Sequence, residues 1–214
     1  MNTRLSLSAV ALVLSLSACH QDGTSGSGHL KTDTRDVANF SQVDFDAFGT
    51  LTVTQGATES LTIQADDNLL PQLTSKVANG KLSLGVEGNV RPSEGMRYTL
   101  VVKNLAELDV SGAGSVTVTG LKTDALRVRL SGAGSVKISG QAASENIALS
   151  GVGSFDGKDF ATKTAKVAVS GAGSAEIRAS DTLDANISGV GNLDYFGDPK
   201  VTKSISGVGA IAKK

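Results

Sequence analysis

Cysteine, histidine, tryptophan and proline are scarce in this chain, and each shortage removes a class of function. The single cysteine, Cys19, has no partner for an internal disulfide and no companions for a thiolate zinc cluster. Both histidines, His20 and His29, fall among the first thirty residues. A Ser-His-Asp triad, a Cys-His pair or a His-rich metal site therefore has no histidine to draw on in the remainder. No Gly-x-Ser-x-Gly nucleophile elbow occurs. Charge of one sign is missing too: 20 Lys and Arg stand against 21 Asp and Glu in 214 residues. A chain with a net charge of -1 has no surplus with which to neutralise a phosphate backbone, so no nucleic-acid partner is expected.

Long apolar runs are also lacking. The longest lies at the start, where Arg4 precedes the stretch Leu5 to Leu16. A bilayer span needs about 20 such residues, so this segment reads as an export signal. It ends Leu16-Ser17-Ala18-Cys19, which resembles a bacterial lipobox and contains the only cysteine. The resemblance implies a signal peptide over 1–18 and acylation of Cys19, whose chains would insert in a lipid bilayer at about 0.8 kcal/mol per buried CH2. His20 follows in place of Asp, which in Gram-negative lipoproteins implies export to the outer membrane. Residues 19–38 are rich in Gly, Ser, Thr and Asp, and this composition predicts a flexible tether carrying both histidines in solvent.

What the chain has in abundance is glycine, 25 residues, much of it periodic. Ser-Gly-Ala-Gly-Ser begins at Ser111, Ser131 and Ser170, and Ser-Gly-Val-Gly-Ser at Ser150. Near-copies begin at Ser188 and Ser206, so successive spacings are 20, 19, 20, 18 and 18 residues. Apolar residues alternate around each copy: Leu126, Val128 and Leu130 before the second, Val136 and Ile138 after it. A period of two indicates strands with one buried face. A unit of this length with a glycine corner has the size of one β-solenoid coil. Parallel crossover connections are overwhelmingly right-handed, so the expectation is an all-β, right-handed parallel β-helix over 105–214. The corner glycines are expected to serve both as conformationally free turn residues and as points of close backbone approach. A dinucleotide loop is excluded because Thr117 stands where Gly-x-Gly-x-x-Gly needs its third glycine. The calcium-binding nonapeptide needs an Asp that these copies lack. No cofactor is expected.

Residues 39–104 are strand-like but irregular, with a hairpin expected at Asn79-Gly80 and one helical turn near Asp66 to Leu70. An exposed solenoid end needs atypical elements to cover it, so this stretch is expected to form the initial coils and a cap. Phe48 to Val53, Leu61 to Leu70, Asn79 to Leu82, Leu105 to Val110 and the repeated corner together resemble the head GIN domain family of putative auto-transporter adhesins. The resemblance implies a β-solenoid in a surface or envelope setting, and it brings no catalytic residues.

Six residues after successive corner serines stand Thr117, Lys137, Asp156, Glu176, Asp194 and Ala212. Stacked coils would align Asp156, Glu176 and Asp194 as an acidic surface stripe, either plain solvated positions or a contact for a cation or glycan. Such a line also has the spacing that a glycosidase carboxylate pair would need, about 5–9.5 Å. The reading that follows is a lipid-anchored, non-catalytic binding or adhesion module for an envelope polymer, glycan or protein. A structural or assembly protein is the alternative, and a carbohydrate-active enzyme a more distant one.

Overall fold

The computed structural model describes residues 23–214. Cys19 and the signal segment lie outside the described residues. The rest is almost entirely strand, 72% against 2% helix, wound as a β-solenoid of about 5 turns.

The N-terminal region contains β1 (Thr24–Ser25), β2 (Leu30–Arg35), β3 (Gln42–Asp46), β4 (Gly49–Gln55), β5 (Ser60–Asp66), β6 (Leu73–Ala78), β7 (Lys81–Val86), β8 (Val90–Arg91) and β9 (Arg97–Val102). A 3-10 helix, Leu70–Gln72, sits between β5 and β6, a few residues beyond the turn that the sequence suggested. The coils follow as β10 (Glu107–Val110), β11 (Gly114–Leu130), β12 (Ala133–Leu149), β13 (Val152–Val169), β14 (Ala172–Ile187), β15 (Val190–Phe196), β16 (Lys200–Ile205) and β17 (Val208–Lys213).

Each of β11 to β14 bends round three sides. The front face follows the corner and pairs in parallel as Val116↔Val136, Val136↔Phe155 and Phe155↔Ala175. A short side pairs Lys122 with Gln141 and Gln141 with Ala161. The back face pairs Val128 with Ile147 and Ile147 with Val167. Register shifts between Val118 and Leu121, Lys137 and Ser139, and Gly157 and Ala161 mark the bend from front face to short side. The alternating residues fall inward as the period predicts, and Val116, Val136, Phe155, Ala175 and Leu193 are all buried. Each fully buried Val, Leu or Phe stabilises the fold by about 1.5–3 kcal/mol relative to an exposed one. Phe155 also supplies the bulk missing at Gly157, where an added Cβ would lie 2.6 Å from its ring.

The corners explain the glycines by stacking. Ser150 and Gly151 both donate their N–H to the Leu130 carbonyl at 2.9 and 3.1 Å, and Ser170 and Gly171 repeat this on Leu149 at 2.8 and 3.2 Å. A Cβ on Gly171 would overlap the carbonyl oxygen of Gly151, and one on Gly151 that of Gly132. Neither glycine has positive φ. Of the two roles expected at the corners, these positions show close approach and not a forbidden backbone angle.

The stack starts earlier than residue 105. On the back face, β3 is parallel to β10 and β7 is parallel to β3. On the front face, β4 is parallel to β11 and β9 is parallel to β4. Strand direction then reverses: β6 lies antiparallel on β7, while β5 and then β2 lie antiparallel beyond β9. The β6–β7 hairpin turns at Asn79 and Gly80, both with positive φ (51° and 76°), as that dipeptide predicts. Phe45 and Tyr98 meet edge-on beneath this cap with centroids 5.3 Å apart.

The tether expected over 19–38 is corrected in its described part. Residues 30–35 form β2 and pair along their whole length with β5. Gly28 and Ser93 each donate a backbone N–H to the fully buried Asp66 carboxylate, at 2.8 and 2.9 Å, and the Ser93 hydroxyl donates as well. The hydroxyl and the two amides together hold the Asp66 carboxyl below its ordinary value. Polar composition suggested solvent, but backbone pairing and one buried carboxylate fix this segment to the cap.

Candidate functional site

The surface columns generated by the register are the candidate sites. The central outward column of the front face runs Thr34, Thr62, Thr99, Thr52, Thr117, Lys137, Asp156, Glu176, Asp194, Ala212. The three stripe carboxylates are therefore brought into register on consecutive coils, as the spacing predicted. The threonine ladder above them was not foreseen, because its strands are of mixed direction and out of sequence order.

Lysines accompany the acidic stripe. Lys137 lies 3.3 Å from Asp156, Lys158 lies 3.4 Å from Asp156 and 3.6 Å from Glu176, and Lys214 lies 3.2 Å from Asp194. Burial pushes the Asp156 carboxyl up, but hydrogen bonds from Lys137 and the Lys158 amide, with both lysine charges, outweigh it. The net shift is downward, opposite to the mutual repulsion that a bare carboxylate line would produce. The acid of a glycosidase pair requires a raised value. Among the described residues, no cluster of three His, Cys, Asp or Glu has the arrangement of a metal site.

The corner carries a different surface. Ala133↔Val152, Val152↔Ala172, Ala172↔Val190 and Val190↔Val208 form one column along the solenoid edge. Val152, Val190 and Val208 are 65%, 59% and 70% exposed, so the ridge is apolar and open to solvent. Beside it runs a column of Ser115, Ser135, Ser154, Ser174 and Asn192, and the Ser135 and Ser115 hydroxyls are 3.1 Å apart. The named residues of both columns are uncharged, and the serine column reaches a charge only beyond Thr50, at Arg97. The sequence showed the corner glycines but gave no reason to ask what the residue between them does.

On the short side, small residues leave a groove of about 1210 Å³ over Ala142, Ala161, Thr162 and Ala179, edged by Lys122, Lys163 and Arg178. Arg178 is held in place: its Nε donates to the Lys158 carbonyl at 2.7 Å, and its guanidinium lies 5.3 Å from the Phe196 ring centroid.

The fold is thus a parallel β-solenoid closed by antiparallel strands at its N-terminal end. The chain belongs to the family described as "Putative auto-transporter adhesin, head GIN domain", whose model matches residues 39–199. Among solved structures, it is similar to a putative adhesin from Bacteroides fragilis, with 26% identity and a TM-score of 0.76, over 90% of this chain and 100% of that one. A putative adhesin from Parabacteroides distasonis (22% identity, TM-score 0.59) and a putative lipid binding protein from the same species (22%, 0.56) share the fold, each over 90% of this chain and 100% of theirs. A comparison with curated proteins found no match. Family membership supports an adhesion-like module in a cell-envelope or surface setting.

Proposed function

We propose that the chain is a lipid-anchored, non-catalytic adhesion module of the bacterial outer membrane. Acylated Cys19 holds it to the bilayer, and the corner ridge contacts an envelope polymer, glycan or protein. The observation that carries this reading is the exposed Ala/Val column with its hydroxyl flank. Isolated surface apolar residues are ordinary, but an aligned column of them favours contact with a partner. The ridge is uncharged, so its contacts would be apolar and hydrogen-bonded, and little affected by salt.

The test is a Val152→Asp, Val190→Asp double variant in whole-cell and glycan-array binding. Loss of binding with an unchanged melting curve supports the ridge, and full binding by the folded variant overturns it. For the anchor, Cys19→Ser should release a soluble exported form. Palmitate labelling of that variant would refute attachment through Cys19.

The last coil favours a second reading, end-to-end assembly. Val208 and Ile205 are exposed, and β16 and β17 each pair on one side only among the described residues. Light scattering separates the two readings, because assembly predicts mass rising with concentration and adhesion does not.

A further inference from the structure

One inward position of the back face breaks the apolar pattern. The register Leu126↔Glu145, Glu145↔Ala165 and Ala165↔Leu183 puts Glu145 in a column that is otherwise aliphatic. Glu145 is 3% exposed. Its Oε1 lies 3.3 Å from the Thr162 hydroxyl, and that hydroxyl lies 3.0 Å from the Arg178 carbonyl oxygen. Its Oε2 is buried without a hydrogen-bond partner among the described residues.

The hydroxyl of Thr162 has one proton and two oxygens in reach. The Arg178 carbonyl can only accept, so the chain of contacts is satisfied when Thr162 donates to it and receives a proton from Glu145. That direction requires a carboxylic acid at Glu145. A carboxylate there would compete with the carbonyl for the same proton and leave a charge in an apolar column. Among the described residues no cation compensates. The neighbouring Arg127 and Lys166 occupy outward positions on the flanking rungs, and Lys166 is taken by Asp184 at 3.5 Å. Lys163, next to Thr162, is exposed at the rim of the groove.

We propose that Glu145 and Thr162 form a proton-controlled fastener on the short side of the solenoid. With Glu145 neutral, two hydrogen bonds run from β12 through β13 to the β14 backbone and tie three successive coils together. Loss of the proton breaks that chain and loosens the floor of the groove at Thr162. Burial accounts for the response range: it pushes the Glu145 carboxyl from its ordinary 4.5 up to about 8. The fastener is closed at neutral pH and released in mildly alkaline surroundings. In an unfolded chain the same carboxyl ionises near 4.5. The folded state therefore holds an extra proton between these two values, and stability from this group falls as pH rises through that window.

Carbon-13 NMR of the glutamate carboxyls in the wild-type protein tests the proton directly and needs no variant. One carboxyl should titrate near pH 8, and that signal should vanish in Glu145→Gln. Melting temperature measured from pH 5 to 9 should decline in the wild type more steeply than in Glu145→Gln, which carries no titrating proton. Amide-exchange protection around 145–147, 162 and 178–179 should drop above pH 8 in the wild type alone. A Glu145 carboxyl that titrates near its ordinary value overturns the proposal. So does a raised titration with unchanged protection around those amides, because then the proton fastens nothing.

Discussion

The two ends of the front face solve one problem differently. Toward the cap, from the first coil onward, the central column is five threonines, Thr34, Thr62, Thr99, Thr52 and Thr117, on strands of mixed direction. In the coils it is Lys137, Asp156, Glu176 and Asp194, with Lys158 and Lys214 reaching in from the side. In-register rungs about 4.8 Å apart bring equivalent positions together. A column must then be neutral, or must interleave its signs. The cap takes the first course with β-branched hydroxyls that suit strands. The coils take the second, and their outward surface is consequently sensitive to salt and acid where the cap's threonine ladder is not.

The largest expected contrast concerns backbone spacing. Gly171→Val, in the coils, should cost about 3 kcal/mol or more, because the overlap is with a carbonyl that cannot move without shifting the next rung. Gly95→Ala, in the cap region, should change stability by less than about 0.5 kcal/mol, since an added Cβ meets nothing within 4 Å. Chemical denaturation of the pair checks this, and equal effects would mean that the corners are not packed by stacking.

Next comes the clip that holds the N-terminal segment. The folded Asp66 carboxyl lies below its ordinary 3.8, so its contribution is present above that value and is lost as pH falls through the folded one. Asp66→Ala should expose residues 24–35 to protease at neutral pH, and should blunt the wild type's loss of stability in acid. Fragment mapping by mass spectrometry reads the first effect and acid titration the second.

A smaller effect is expected at Lys158. Removing it as Lys158→Met should raise the Asp156 carboxyl toward its ordinary value and reduce the dependence of stability on salt. Carboxyl NMR and melting curves with and without 1 M salt, roughly a 3 Å screening length, measure both. The smallest change belongs to the threonine ladder. Thr99→Val should alter stability by less than about 0.5 kcal/mol, with no salt dependence, since it keeps the β-branch on an exposed rung.

These contrasts follow the line between what the sequence made legible and what it did not. The coils were readable because a nearly constant spacing of Ser-Gly-x-Gly corners, 18 to 20 residues, and a period of two are both visible in one dimension. Asn79-Gly80 was readable because its backbone requirement is local. Strand β2 was not: Leu30 to Arg35 is exposed or half-buried throughout, so no apolar alternation announces it, and only pairing with β5 makes it a strand. Glu145 left a trace that could have been followed, since it stands where Leu126, Ala165 and Leu183 stand in neighbouring coils. The ridge of Val152, Val190 and Val208 was hidden behind its glycines. Sequence alone cannot separate a glycine needed for its backbone angle from one needed because another backbone passes close by.

The corner glycines make the molecule countable. Gly151 rests on Gly132, which rests on Gly112. Joining Ser131 directly to Gly151 would seat Gly151 on Gly112, and every junction left would have the same kind of neighbour as before. The length of this scaffold can therefore change by integers. A whole rung can be lost or duplicated without inventing a new interface, whereas differences of one or two residues between rungs are absorbed where the strands bend, so that the corners stay aligned. The length of the column is thus a quantised property, set by how many times one short phrase of sequence is repeated.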